Sequence, residues 1–118
     1  MNEVTRKIHR MLGVWNKKGY SPQAINAGSC ESFAWELELA FCRDKNGKWN
    51  RKGRAMWGED FPDLFKTDVC PDGHCFFEYE GKFYDSESPN GEMRPDDLKY
   101  YQRILNLTEE WKPVEYAE

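Results

Sequence analysis

Residues 30–42, Cys-Glu-Ser-Phe-Ala-Trp-Glu-Leu-Glu-Leu-Ala-Phe-Cys, form the stretch that decides the fold. Apolar side chains recur here at helical spacing in two adjoining stripes, so most of the circumference of the helix is apolar. Such a helix is stable only when other elements cover it on two sides, because its apolar surface otherwise faces water. The sequence therefore predicts a central helix from Cys30 to Phe41 or Cys42.

The residues before this stretch predict two more helices. Between residues 3 and 18, apolar side chains recur at the spacing of one face of an amphipathic helix. These are Val4, Ile8, Met11, Leu12 and Trp15. Ser21 and Pro22 resemble an N-cap followed by proline at the first helical position, which predicts a short helical turn through Ile25.

The residues after it predict a small antiparallel sheet. Residues 74–79 are rich in strand formers, Glu80-Gly81 is a compact turn, and residues 82–86 read as the return strand. We also expect a short strand within 54–61, a break at residues 88–91 and a last helix over 95–105. The result is an α+β fold with helices first and the sheet second, in a single domain spanning residues 1–118.

The 118 residues have a net charge of −4, which is unevenly distributed. Residues 1–54 contain 11 Lys and Arg against 5 Asp and Glu, whereas residues 55–118 contain 6 against 16. A basic cluster around Trp49 is the one candidate surface for nucleic acid: Lys48, Arg51, Lys52 and Arg54. Because the total charge is negative, we interpret this cluster as a solvated loop and expect no nucleic-acid partner.

Apolar runs and cysteines indicate the compartment. No run reaches the length of a membrane span, and residues 1–20 carry charge where a signal peptide is apolar. We therefore expect a cytoplasmic protein without a membrane partner, whose four cysteines are reduced.

The order Cys70, His74, Cys75 is a weak zinc signal, because the chain has no Cys-x-x-Cys and no second pair. We predict no metal and no cofactor.

Three residues lie where a thiol nucleophile, a base and an orienting carboxylate are needed. Cys30 begins the central helix, His74 begins the first strand 44 residues later, and Asp85 lies on the return strand. With a two-residue turn, Tyr79 pairs with Lys82, and alternation places His74 and Asp85 on one face of the hairpin. Glu87 would lie on that face as well and is the reserve orienter.

The chemistry follows from these positions. A thiol at a helix N-terminus lies at the positive end of the helix dipole, which favours the thiolate. The Cys30 N–H can point at a developing oxyanion, and either Gln23 or Asn26 would supply the second donor. We predict catalytic roles for Cys30, His74 and Asp85, and we interpret His9 as a solvated helix residue.

A different class of function is also compatible with these residues. A cysteine on an apolar helix is most often part of a core. The alternative is therefore a catalytically silent binding module. Four aromatic residues of the middle segment would form its partner surface unless they pack into the core: Trp49, Trp57, Phe61 and Phe65.

Two motifs resemble the papain-like cysteine peptidase superfamily, which includes transglutaminase-like proteins. Residues 28–34, Gly-Ser-Cys-Glu-Ser-Phe-Ala, are similar to the papain nucleophile motif. Residues 74–85, His-Cys-Phe-Phe-Glu-Tyr-Glu-Gly-Lys-Phe-Tyr-Asp, resemble the histidine and aspartate strands of transglutaminase-like proteins. Residues 73–91 also resemble a segment of small papain-like proteins that are mostly phage-encoded. The chain departs from papain in having Asp85 where papain has asparagine.

This resemblance implies a minimal papain-like fold, with a central nucleophile helix packed on a small antiparallel sheet. It also implies a Cys30-His74-Asp85 triad in a thiol-dependent hydrolase or acyl transferase. The substrate would be an amide of a protein or peptide, namely a peptide bond, an isopeptide bond or a glutamine side chain. A phage protein of this kind would work in the host cytoplasm, and the silent alternative would target a host factor there.

Overall fold

The computed structural model describes residues 1–61 and 73–107, which form an α+β arrangement. Its helices are α1 (Glu3–Lys17), α2 (Pro22–Asn26), α3 (Cys30–Cys42) and α4 (Lys99–Leu107). Its strands are β1 (Gly53–Trp57), β2 (Cys75–Tyr79), β3 (Lys82–Asp85) and β4 (Ser88–Glu92). All neighbouring strands pair antiparallel in the order β1-β2-β3-β4. The predicted α+β class is confirmed.

Helix α3 is the central element, as the sequence predicts. It packs on β1 and β2 on one side and contacts α1 and α2 elsewhere. Phe33 and Leu37 are fully buried in this core. The prediction that the second apolar stripe is covered is wrong in part, because Trp35 and Leu39 are 46% and 47% exposed.

Strand β2 has buried side chains on both faces of the sheet. Phe77 joins the core beneath α3, whereas Phe76 joins a second cluster with Met56, Leu98 and Tyr101 on the opposite face. Burial of Cys75, Phe76 and Phe77 explains why β2 begins with a continuous apolar run rather than an alternating one. His74 immediately precedes this strand, so the fold places it between two cores.

The β2–β3 hairpin has the predicted register. Tyr79 pairs with Lys82, Glu78 with Phe83 and Phe77 with Tyr84. Glu80 and Gly81 both have positive φ, at 50° and 87°, which is the conformation that a tight two-residue hairpin turn requires. The turn therefore fixes which face of β3 carries Asp85.

Beyond Asp85 the structure differs from the sequence prediction. Residues 88–91 do not break the sheet, because Ser88–Glu92 forms β4 at its edge. Pro89 is compatible with an edge strand, which does not need every N–H for pairing. The predicted helix over 95–105 is divided into a 3-10 turn at Pro95–Asp97 and α4, with Leu98 between them.

Several predictions concern residues outside the described ranges. Phe65 and Cys70 lie there, so the partner surface and the zinc signal are described only in part. Across residues 1–61 and 73–107, no helix is long and apolar enough to cross a membrane. The same ranges contain no group of three or more His, Cys, Asp or Glu side chains arranged to hold a metal ion.

Two glycines give a paired test of the sheet. A Cβ added at Gly53 would collide with the backbone of β2 and lie 2.8 Å from Tyr79 Cα, whereas at Gly13 nothing lies within 4 Å. Gly53→Ala should therefore lower the free energy of unfolding by about 1–3 kcal/mol or more. Gly13→Ala, in the interior of α1, should raise it by roughly 0.5–1 kcal/mol. Urea unfolding of both variants measures the difference, and equal effects would contradict the close approach of β1 and β2.

Candidate active site

His74 and Asp85 form a buried hydrogen-bonded pair. His74 Nε2 lies 2.9 Å from Asp85 Oδ2, and the two side chains are 0% and 2% exposed. His74 immediately precedes β2 and Asp85 ends β3, so the hairpin register places them on one face. The predicted proximity of the two residues is present in the structure.

The turn after β3 fixes the Asp85 carboxylate. Its second oxygen, Oδ1, accepts hydrogen bonds from the backbone N–H groups of Glu87, at 3.0 Å, and Ser88, at 2.9 Å. A carboxylate held by two backbone donors has little freedom to rotate. Asp85 is therefore an acceptor of fixed orientation, and it favours the His74 tautomer that carries hydrogen on Nε2.

Cys30 is the first residue of α3 and is 8% exposed. Its sulfur accepts a hydrogen bond from the backbone N–H of Cys75 at 3.3 Å and lies 3.5 Å from the carbonyl oxygen of Gly73. The side chain of Ser29 makes no capping hydrogen bond at this helix end. The Glu31 N–H of the first turn also interacts with the sulfur and helps to lower the pKa of Cys30.

The free ring nitrogen of His74 is the one available to Cys30. Nε2 is hydrogen-bonded to Asp85, while Nδ1 is buried and has no hydrogen-bond partner among the described residues. The His74 ring lowers the pKa of the Cys30 thiol, and the thiol raises the pKa of the ring. The arrangement leaves Nδ1 as the ring nitrogen that can exchange a proton with the thiol.

The two pKa values move toward a thiolate–imidazolium pair. Burial alone raises the pKa of Cys30, but the His74 interaction and the Cys75 N–H outweigh it, so the pKa is lowered. Burial alone lowers the pKa of His74, but hydrogen bonds to Asp85 and Cys30 outweigh it, so the pKa is raised. Desolvation is the largest single influence on each group, and the partners overcome it only together.

Aromatic rings from α4 cover the imidazole. The Tyr100 ring stacks on His74 with centroids 3.8 Å apart and an interplanar angle of 15°. Tyr101 contacts the same ring edge-on at 5.4 Å. Sequence analysis missed both residues, since a helical pattern in 95–105 does not say which earlier residue that helix covers.

Glu87 is not an orienter, so the reserve prediction is wrong. Strand β3 ends at Asp85 and residue 87 lies in a turn, so Glu87 does not lie opposite His74. Its carboxylate accepts two hydrogen bonds from Arg103, at 3.1 and 2.7 Å, and one from Asn26 Nδ2 at 2.9 Å. Burial alone raises the pKa of Glu87, but the hydrogen bonds from Arg103 and Asn26 outweigh this effect, so the pKa is lowered.

The two candidate oxyanion donors lie in different environments. Asn26 is buried and its amide nitrogen already donates to Glu87, whereas Gln23 is exposed on the first turn of α2. The Cys30 N–H has no acceptor among the described residues. His9, the other histidine, is exposed on α1 and lies apart from this group.

A groove of about 640 Å³ reaches Glu31 and Cys75, the chain neighbours of Cys30 and His74. Helix α3 and strand β1 provide most of its lining. The groove is lined by Glu31, Ser32, Trp35, Glu38, Arg43, Trp49, Arg54, Ala55, Trp57 and Cys75. Trp49 and Trp57 of the predicted partner surface line it, whereas Phe61 packs in the second core against Phe76.

No protein-family model, curated protein or solved structure matches this chain. The chemical interpretation of the site therefore rests on its own geometry.

Alkylation of Cys30 tests the coupling to His74. Iodoacetamide reacts with the thiolate, so the alkylation rate of the wild type should stay high at pH values below roughly 8.5, the pKa of a free thiol. The rate should fall only when the pH approaches the depressed pKa of Cys30. In His74→Ala the effect of burial remains without the ring, so the midpoint should move to or above the free-thiol value. Peptide mass spectrometry against pH measures both curves.

His9→Ala is the matched control and should reproduce the wild-type curve. A wild-type midpoint at or above the free-thiol value, or one that His74→Ala leaves in place, would contradict the coupling.

Proposed function

We propose that this protein is a thiol-dependent hydrolase or acyl transferase that acts on an amide of a protein or peptide. The observation that carries the proposal is the buried 2.9 Å His74–Asp85 hydrogen bond, which leaves Nδ1 for the thiol of Cys30. Nucleophile, base and orienter in this order are the components of covalent acyl-transfer catalysis.

The reaction starts from the thiolate–imidazolium pair. The Cys30 thiolate attacks the amide carbonyl carbon, and the C–N bond breaks as His74 donates its proton to the leaving nitrogen. This step gives a thioester on Cys30 and a free amine. Water in hydrolysis, or an amine in transfer, then attacks the thioester. His74 accepts the proton of that nucleophile, and the sulfur leaves as thiolate.

The Cys30 N–H supplies one donor for the oxyanion of each tetrahedral intermediate. Gln23 is the better candidate for the second donor, because the Asn26 amide is committed to Glu87. Asp85 keeps the imidazole oriented and stabilises its protonated form. No step requires a metal or a cofactor.

The resemblance to papain-like and transglutaminase-like proteins supports the same function. A buried Cys-His-Asp group between a helix N-terminus and an antiparallel hairpin is the site that this resemblance predicts. We infer a minimal papain-like domain that works in the cytoplasm, which for a phage-encoded protein is that of the host.

The alternative is a catalytically silent binding module that keeps this fold for a partner surface. The observation that favours it is the 8% exposure of Cys30, which leaves little of the thiol open to a substrate. In this alternative Cys30 is a core residue, and it should resist acylation even by a small activated ester.

Acylation by p-nitrophenyl acetate distinguishes the two functions. The wild type should release about one equivalent of p-nitrophenolate in a burst and carry an acetyl group on Cys30. His74→Ala should slow the burst about 100-fold or more, because the general base is lost. Cys42→Ala should not change it, since burial raises the pKa of Cys42 to about 11. Stopped-flow absorbance and peptide mapping provide the readout, and an unmodified Cys30 would favour the binding module.

Substitutions at Gln23 and Asn26 test the oxyanion donor. Gln23→Ala should lower the acylation rate roughly 10²-fold, with little change in melting temperature because the residue is exposed. Asn26→Ala should mainly lower the melting temperature, since Glu87 loses a buried hydrogen bond. Burst rates and thermal unfolding are measured for both variants. The assignment fails if Asn26→Ala slows acylation in a stably folded protein while Gln23→Ala does not.

A further inference from the structure

We propose that the groove between α3 and β1 binds an extended peptide segment of the substrate. This segment carries a large apolar side chain near the reacting amide and an acidic group about three residues away. The proposal rests on the proposed function, because the segment would flank the amide that Cys30 attacks.

The sheet register gives the direction of the groove. Trp57 pairs with Cys75, whose N–H donates to the Cys30 sulfur, and Gly53 pairs with Tyr79 at the other end of β1. The Trp57 end of the groove is therefore the thiol end. Helix α3 runs from this end to the far end, since it starts at Cys30.

The groove is long enough for a short extended peptide. Its α3 lining extends from Glu31 to Glu38, which at about 1.5 Å per helical residue corresponds to about 10 Å. An extended chain advances about 3.3 Å per residue, so roughly four consecutive substrate residues span it. Both the apolar residue and the acidic residue lie within that length.

Three indole rings form the apolar lining. Trp35 is 46% exposed in the middle of the groove, and Trp49 and Trp57 are half-buried. The Arg43 guanidinium lies between two of them, 5.8 Å from the Trp35 ring and 5.9 Å from the Trp49 ring. These cation–π contacts hold flat aromatic surfaces at fixed positions, and such surfaces suit a large apolar side chain.

The charges of the groove are separated along its length. Glu38 is buried and pairs with Arg43 at 2.8 Å, so these two groups neutralise each other. Arg54 is exposed, lines the far end of the groove and lies opposite Glu78 across the β1–β2 pair. It makes no ion pair with any residue of 1–61 or 73–107. Glu31 at the thiol end likewise has no ion pair within those ranges. An acidic group therefore complements the far end and is disfavoured beside the thiol.

Backbone pairing at the β1 edge is already blocked by side chains. Glu38 Oε1 accepts the Ala55 N–H at 2.7 Å, and Asp60 Oδ2 accepts the Trp57 N–H at 2.9 Å. Trp49 Nε1 donates to the carbonyl oxygen of Gly53 at 2.7 Å. A substrate cannot simply add a strand here, so side-chain contacts must provide the recognition.

The proposal is tested by titrating ¹⁵N-labelled protein with short peptides and following its ¹H–¹⁵N spectra. The probes are Ac-Asp-Gly-Gly-Phe-Gly-NH₂ and its reverse, Ac-Gly-Phe-Gly-Gly-Asp-NH₂, because either chain direction could place Phe near the thiol. One of them should shift the indole N–H signals of Trp35, Trp49 and Trp57 in ¹H–¹⁵N spectra. The Trp15 signal, from a residue outside the groove, should not move.

Matched substitutions sharpen the test. Replacing Asp by Lys in the better peptide should weaken binding about five-fold, and Arg54→Ala should remove that preference. Trp35→Ala should weaken binding about five-fold or more, whereas Leu39→Ala, an equally exposed residue of α3 outside the groove, should not. The proposal is overturned if neither peptide shifts the groove indoles, or if the Lys peptide binds as well as the Asp peptide.

The readout is independent of turnover, so the two proposals can fail separately. Peptide binding with an inert Cys30 would overturn the proposed function and retain the groove as a peptide site. A reactive Cys30 with no peptide binding would overturn this inference alone.

Discussion

The hydrogen bond between His74 Nε2 and Asp85 Oδ2 is fully buried, and much of the second half of the fold surrounds it. A buried carboxylate is costly unless its remaining lone pairs are satisfied. The turn after β3 meets this requirement with the N–H groups of Glu87 and Ser88. The same turn reverses the chain into β4, so the polar requirement of one side chain coincides with the strand connection.

Helix α4 completes the enclosure of this pair. Ser88 Oγ accepts the Lys99 N–H at 2.9 Å, which ties the start of the helix to the turn. The Tyr100 ring then covers the imidazole, and Arg103 on the next turn pairs with Glu87. Glu87 also binds Asn26, so α2, the β3–β4 turn and α4 meet at one carboxylate. Loss of this carboxylate would loosen three elements around His74 at once.

Glu38 has a comparable role on the other side of α3. Its buried carboxylate accepts the Ala55 N–H of the edge strand and pairs with Arg43, which in turn contacts two indole rings. One acidic residue within an apolar helix therefore closes part of the sheet edge and orders the groove lining. These two contacts explain why α3 carries a charged residue, Glu38, on the side that packs against β1.

The sequence by itself determined the elements whose signals are local. Helical spacing placed α1 and α3, and the Glu80-Gly81 turn set the hairpin register that brings His74 and Asp85 together. These features depend on backbone periodicity and turn geometry within a few residues. Tertiary packing decided the rest: the pairing of Ser88–Glu92 as β4, the exposure of Trp35, the partners of Glu87 and the stacking of Tyr100 on His74. Each depends on which distant element reaches a given surface, and residue spacing along the chain does not encode that.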